Sequence, residues 1–347
     1  MMNILDYSEV LKALPVGKTH HLLIGNGFSI GCDSRFSYKN LYETAKAEGL
    51  SEQAQRVFAK LGTNNFEAVM RLPDDGHWLA GNYDLIGEGT CPLETDLNVI
   101  KETLVSSIAE THPDNTGLIP ERQKRTALAF IAPYQSVFST NYDLLPVWIN
   151  MMSSPPQFQD GFRADPTDPS APSLVFSERI GKAKGFYFIH GALHLFMGPG
   201  GLRKHCWERS RRSLIELVRD GLTQRRYPLF VAEGSHEKKM EQIQSNGYLS
   251  YCYGKLGRVG GRLITFGFSF GESDKHISRQ ISENEDITDL YVGIFKGPNG
   301  YDKSVISAIQ EMVEHRNDLL KRRGQKFRDS HRLTATFFDS QSAHVWS

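Results

Sequence analysis

Five short segments of this sequence carry residue types whose combination could do chemistry. The first, His21-Leu-Leu-Ile-Gly-Asn-Gly-Phe-Ser-Ile-Gly31, is an apolar run entering glycines. Gly25 and Gly27 would let the backbone turn sharply and approach a pyrophosphate near a helix N-terminus. A dehydrogenase fingerprint fails here, because its third small residue would fall on Ile30. A plain tight turn explains the glycines equally well when they are taken alone. The other segments are Ser139-Thr-Asn-Tyr-Asp143, Ile189-His-Gly191, Glu233-Gly-Ser235 and Gly267-Phe-Ser-Phe-Gly-Glu-Ser-Asp274. A carboxamide such as that of Asn141 both donates and accepts, so it can position a water or a hydroxyl. An imidazole such as that of His190, if poised near neutrality, can take a proton from it. Each segment also has a structural explanation: Asn141 and Asp143 as a turn cap, His190 as a satisfied core histidine, Gly267 and Ser269 as a helix start. That all of these hold together on one sheet edge is the less economical explanation.

The elements that must position these residues are short apolar runs bounded by turn formers, the pattern of buried parallel strands. Seven are expected: His21–Ile24, Ser136–Ser139, Phe186–Ile189, Leu229–Ala232, Arg262–Phe266, Leu290–Phe295 and Leu333–Phe338. Helical patterns between them predict an α/β, doubly wound, mostly parallel Rossmann-like sheet, with the polar segments at its ligand-binding edge. About 110 residues separate the first two strands, where a simple βαβ unit needs about 30. That stretch reads as helices at Tyr38–Ala47, Ser51–Leu61, Asn65–Met70, Leu97–Ala109 and Glu121–Ile131, with Thr95 or Asp96 as a cap for the fourth. The predicted organisation is a Rossmann-like unit of residues 1–36 and 133–347, with a helical insertion of residues 37–132 covering the site. Met151–Ser173, rich in proline, aspartate and serine, is expected to be a long loop.

Four of the segments resemble, in order, the signature motifs of the sirtuin (silent information regulator) superfamily: Gly25-Asn-Gly-Phe-Ser29, Thr140-Asn-Tyr-Asp143, His190-Gly191 and Gly267-Phe-Ser269. Asn65-Phe-Glu67, Tyr187-Phe-Ile-His-Gly191, Phe230-Val-Ala-Glu-Gly234 and Phe338-Asp-Ser-Gln-Ser-Ala-His344 are similar to the bacterial sirtuin-like domains of anti-phage defence proteins. The resemblance runs from Leu22 to Trp346. It implies NAD as substrate, cleavage of the nicotinamide–ribose bond to give nicotinamide and ADP-ribose, and a role in defence by NAD depletion. Under it Asn141, His190 and Asp143 are catalytic, Asp143 by ordering its loop and contacting the cofactor, and Gly25, Asn26, Gly27, Phe28 and Ser29 lie at the diphosphate. Thr140, Gly191, Gly267, Ser269 and Asp274 complete the cofactor site, with Ser342–His344 near the adenine. The four-cysteine zinc ribbon of the family's protein deacylases is missing, and Gly31-Cys-Asp-Ser-Arg-Phe36 replaces their Gly-Ile-Pro-Asp-Phe-Arg run. Both departures favour hydrolysis over lysine deacylation.

Composition sets the outer bounds. Lys plus Arg (40) balances Asp plus Glu (40), which argues against a nucleic-acid ligand held by phosphate contacts. The basic runs Arg203–Arg226 and Lys321–Arg328 read as solvated helix faces. The four cysteines, Cys32, Cys91, Cys206 and Cys252, share no CxxC spacing, so no paired-cysteine metal site is expected. With no apolar run long enough for a bilayer or a signal peptide, a cytoplasmic location is expected. Departure of cationic nicotinamide leaves an oxocarbenium-like ribose, which needs orientation and negative electrostatics more than acid help. Because such a hydrolase endangers its own cell, control by a protein partner or homo-oligomer through the insertion and the Met151–Ser173 loop is expected. The alternatives are a module that senses NAD or ADP-ribose without turnover, a lysine deacylase, a nucleotide-dependent oxidoreductase and a phosphate-binding structural protein.

Overall fold

The computed structural model describes residues 3–83, 92–177, 180, 183–232, 234–323 and 331–347. Cys91, Glu233 and most of the Lys321–Arg328 run lie outside the described residues. The chain opens with β1 (Ile4–Leu5), α1 (Tyr7–Ala13), β2 (His20–Ile24) and α2 (Gly27–Cys32). The helical insertion follows as α3 (Tyr38–Ala47), α4 (Glu52–Leu61), α5 (Phe66–Asn82), α6 (Pro92–Thr111) and α7 (Glu121–Ile131). Next come β3 (Ser136–Ser139), α8 (Leu145–Asn150), β4 (Phe162–Ala164), β5 (Ser173–Phe176), β6 (Gly185–Phe188), β7 (Gly191–Gly198), β8 (Gly201–His205), α9 (Trp207–Ser210), α10 (Leu214–Thr223) and β9 (Pro228–Phe230). The C-terminal part holds α11 (His236–Ser245), α12 (Gly247–Leu256), β10 (Gly261–Phe266), α13 (Lys275–Glu283), β11 (Ile287–Ile294), β12 (Lys296–Gly297), β13 (Gly300–Tyr301), α14 (Lys303–Arg323) and β14 (Thr334–Asp339).

Seven strands form an all-parallel central sheet, flanked by helices, in the order β1-β14-β11-β10-β2-β3-β6. Counted from β6, the first six strands reproduce the doubly wound order 3-2-1-4-5-6, and β1 adds an edge. The central strands are buried on both faces, as helix-covered strands must be: Leu22, Leu23, Ile24, Val137 and Phe138 are fully buried. The insertion forms as expected. Ser37 and Ser51 cap α3 and α4 by accepting from Asn40 N and Ala54 N, and Asn65 accepts from Glu67 N at the start of α5. The last helix, α7, begins after Pro120. Leu41, Phe58, Phe66, Leu104 and Ile108, from α3, α4, α5 and α6, supply the insertion's buried face.

Several expectations are corrected. Leu229–Ala232 does not join the parallel sheet. Gly191, at φ +75°, turns the chain straight from β6 into β7, and β9 then pairs antiparallel with β7. The result is a second, antiparallel sheet of five strands, β4-β5-β8-β7-β9, which the expected organisation did not include. The remaining strand of the parallel sheet is the two-residue β1, too short to leave a periodic signal. Met151–Ser173 is not all loop, because it contains β4 and reaches β5. Helix α6 starts at Pro92, so Thr95 and Asp96 lie inside it and do not cap it, and α5 runs on well past Met70. The Arg203–Arg226 run spends its charge locally: Arg203 pairs with Asp165, Arg212 with Asp220 and Arg219 with Asp114. Among the described residues, no helix is long and apolar enough to cross a membrane.

Candidate functional site

In a doubly wound sheet, ligands bind beyond the strand ends where the winding reverses. Here that point lies between β2 and β10, and the glycines of both strand ends meet there. Gly267 sits at φ +65°, and a Cβ on it would lie 2.6 Å from Phe28 N; one on Gly27 would lie 2.6 Å from Gly267 Cα. Only glycine allows this approach. The amides of the turn are already engaged: Gly25 N donates to Phe266 O at 3.0 Å and Gly27 N to Gly267 O at 2.9 Å. They knit β2 to β10.

A cavity of about 260 Å³ opens on this junction, with Asn26, Gly27, Thr140, Asn141, Asp143 and His190 in its wall. Gly267, Ser269 and Asp274 also border it, and Tyr38, Glu67 and Leu104 of the insertion close it over. The carboxamide of Asn141 is aimed by an ordered relay. Asp143 Oδ1 accepts from Leu145 N at 2.8 Å, which fixes the loop after β3. Ser29 Oγ donates to Asp143 Oδ2 at 2.6 Å and must therefore accept from Asn141 Nδ2, at 2.8 Å. That assignment leaves Asn141 Oδ1 as a buried acceptor without a partner. Burial pushes the Asp143 carboxyl up to about 6, against the pull of the hydrogen bonds from Ser29, Leu145 and Asn141.

His190 lies in the turn between β6 and β7, on the other wall of the cavity. Its ring is buried, and its Nε2 lies 2.9 Å from His276 Nε2 and 4.0 Å from Asp274 Oδ1. Asp274 Oδ1 accepts from Lys239 Nζ at 2.8 Å, and the same ammonium lies 3.0 Å from Glu67 Oε2. Glu67 also accepts from Tyr142 Oη at 3.0 Å and Ser273 Oγ at 2.8 Å. This network corrects the expectation of an imidazole poised near neutrality. Burial, and then the Lys239 charge, hold His190 well below the usual histidine range, so it is a neutral ring. Burial works against ionisation of Asp274, but Lys239 and the neighbouring His190 and His276 together outweigh it and keep that carboxyl below its ordinary value. Among the described residues, His190, Asp274 and His276 also form a group whose ligand atoms lie within 4.8 Å of one another.

A second cavity, of about 570 Å³, shares Gly27, Ile30, Gly267, Phe268 and Ser269 with the first and adds Gln341, His344 and Trp346. The remaining expected site residues serve the frame. Phe28 is fully buried with its ring edge-on to Trp346, whose Nε1 donates to Phe28 O at 2.7 Å. Ser29 is buried in the relay, and Gly25 and Gly191 lie against the backbone of β10 and β9. Ser342 binds Tyr7 N and borders neither cavity. Sequence reasoning missed Lys239, His276 and Tyr142 as members of the site. His276 lies two residues past Asp274 and could have been found from that spacing, whereas Glu237-Lys238-Lys239 reads as an ordinary solvated helix face.

A comparison with curated proteins finds no match. A family model described as "Domain of unknown function (DUF4917)" matches residues 22–346, from the first central strand through the C-terminal segment beside the second cavity. The chain belongs to this DUF4917 family.

Proposed function

We propose that the chain hydrolyses NAD at the bond between nicotinamide and ribose. The observation that carries this reading is the unpartnered, directionally fixed Oδ1 of Asn141, on the same cavity as His190. A buried acceptor without a partner calls for an O–H donor, which a ribose hydroxyl or an attacking water supplies. In the reaction the C–N bond breaks with its electron pair leaving on nicotinamide. Water adds to the anomeric carbon, and its proton passes through His190 to solvent. Three carboxyl groups border the cavity (Glu67, Asp143 and Asp274), and Lys239 offsets only one of them, which favours a cationic leaving group and an oxocarbenium-like transition state. Under this reading the second cavity, which shares Gly27, Gly267 and Ser269 with the first, would take the adenosine half. The ordered resemblance of the motifs to sirtuin-like domains supports the same reaction.

The test is incubation with NAD and chromatography of the products. Wild type is expected to release nicotinamide, and Asn141→Ala and His190→Ala each to lose about 10²-fold or more, with unchanged circular dichroism. Full release by both variants refutes the assignment. One observation favours a second reading, binding of NAD or ADP-ribose without turnover: a ring held as far below neutrality as that of His190 is a weak base. Saturable binding without nicotinamide release selects that reading. A defence role by NAD depletion belongs to the same proposal, with cellular NAD after phage challenge as its readout.

A further inference from the structure

We propose that His190, Asp274 and His276 form a reversible site for a divalent transition metal of the zinc type, and that occupancy shuts the site off. The two imidazole nitrogens face each other at 2.9 Å. Two zinc–nitrogen bonds of about 2.0–2.1 Å at the tetrahedral angle span about 3.3–3.4 Å, so the rings need part by only about half an ångström to admit the ion. Asp274 Oδ1, 4.0 Å from His190 Nε2, supplies the third ligand. Two histidines and one carboxylate suit zinc and its neighbours, whereas magnesium and calcium prefer oxygen.

The surroundings fit a site that fills and empties. His190 and Asp274 border the cavity, so an ion can enter and water can complete its coordination. Lys239 holds the ligating carboxylate in place, and its charge is shared with Glu67. Affinity is limited by His276, whose Nδ1 is buried with no acceptor for the proton it would carry once Nε2 binds metal. That lack suits a regulatory ion better than a resident one.

The regulatory half of the proposal rests on NAD hydrolysis; the binding half does not. The full chain, stripped with chelator, is titrated with Zn²⁺ alone in a calorimeter, and with Co²⁺ followed by its visible absorption. The expected result is saturable one-to-one binding in the micromolar range, with wild-type Co²⁺ bands of nitrogen and oxygen ligation that Zn²⁺ abolishes. His276→Ala and Asp274→Asn are each expected to weaken binding by on the order of tenfold or more. Absence of saturable binding to wild type, or binding untouched by both substitutions, overturns the site. If wild type releases nicotinamide, Zn²⁺ is expected to inhibit it over the same concentration range and His276→Ala to escape inhibition. Inhibition that persists unchanged in His276→Ala overturns the regulatory half.

Discussion

The Ser29 hydroxyl has one proton to give and, while Asp143 is ionised, gives it to that carboxylate. That direction turns the Asn141 amide so that its oxygen is the free acceptor. Protonation of Asp143 makes it a donor and removes the constraint. Because burial raises this carboxyl to about 6, nicotinamide release is expected to fall about tenfold per pH unit below that point. In Asp143→Asn the limb is expected to vanish, leaving a low, flat profile. Stability should move the other way. A carboxyl raised above its unfolded value favours the folded state at low pH, and that contribution is lost as pH rises from about 4 through about 6. Urea midpoints of wild type should therefore decline across this window relative to Asp143→Asn. A wild-type rate that is flat from pH 5 to 7 would remove Asp143 from the relay.

Among the elements, α14 is anchored by one buried residue. Arg316 is fully buried, and its guanidinium donates to Ile281 O, Ser282 O and Asn284 O, at and just beyond the end of α13, and to Ile287 O and His331 O. A planar five-donor fork satisfies carbonyls that would otherwise be orphaned beneath the helix, and its charge suits a helix C-terminus. Arg316→Met is expected to cost about 4 kcal/mol in urea unfolding. Arg316→Lys should recover little, because a single ammonium cannot reach five acceptors. Its immediate neighbours in the sequence are polar, but Val305, Ile309, Met312 and Leu320 share its buried stripe, so helical period places it inward. Legibility depended on burial pattern. The central strands β2, β3 and β10 were readable because both of their faces are apolar, and α3 and α7 because caps and a proline bracket them. The second sheet was not, since β5 and β8 are short and half-buried, with no clean alternation. Within the site, residues at strand ends were readable because the sheet's topology selects them. Lys239 reaches the site from the first turn of α11, by a fold-dependent approach that local pattern does not encode.

At the scale of the whole molecule, the insertion is fastened to the sheet unit through charge. Glu67 comes from α5, Lys239 from α11, Asp274 from the turn before α13, and Tyr142 from the loop after β3; Tyr142 Oη also reaches Val231 O beside the second sheet at 2.6 Å. Lys239 is fully buried. Burial pulls its ammonium toward neutrality, but Glu67 and Asp274 outweigh that and hold it above the ordinary lysine value. Removing the cation alone strands two carboxylates, the buried Glu67 and the partly buried Asp274, so Lys239→Met is expected to cost about 3–5 kcal/mol. Glu67→Gln removes one of those carboxylates while keeping one oxygen, which can still accept from Tyr142 or from Ser273. In the double variant only Asp274 is left without its partner, so the combined loss should fall short of the sum by about 1–3 kcal/mol. A double-mutant cycle in urea measures that coupling, and strict additivity would mean that the insertion is held by its apolar face alone. The same cycle bears on control of the site. If the insertion is latched by these charges, Lys239→Met should make the Glu67 segment exchange its amide hydrogens faster than β2 and β10, because the lid opens without the sheet unfolding.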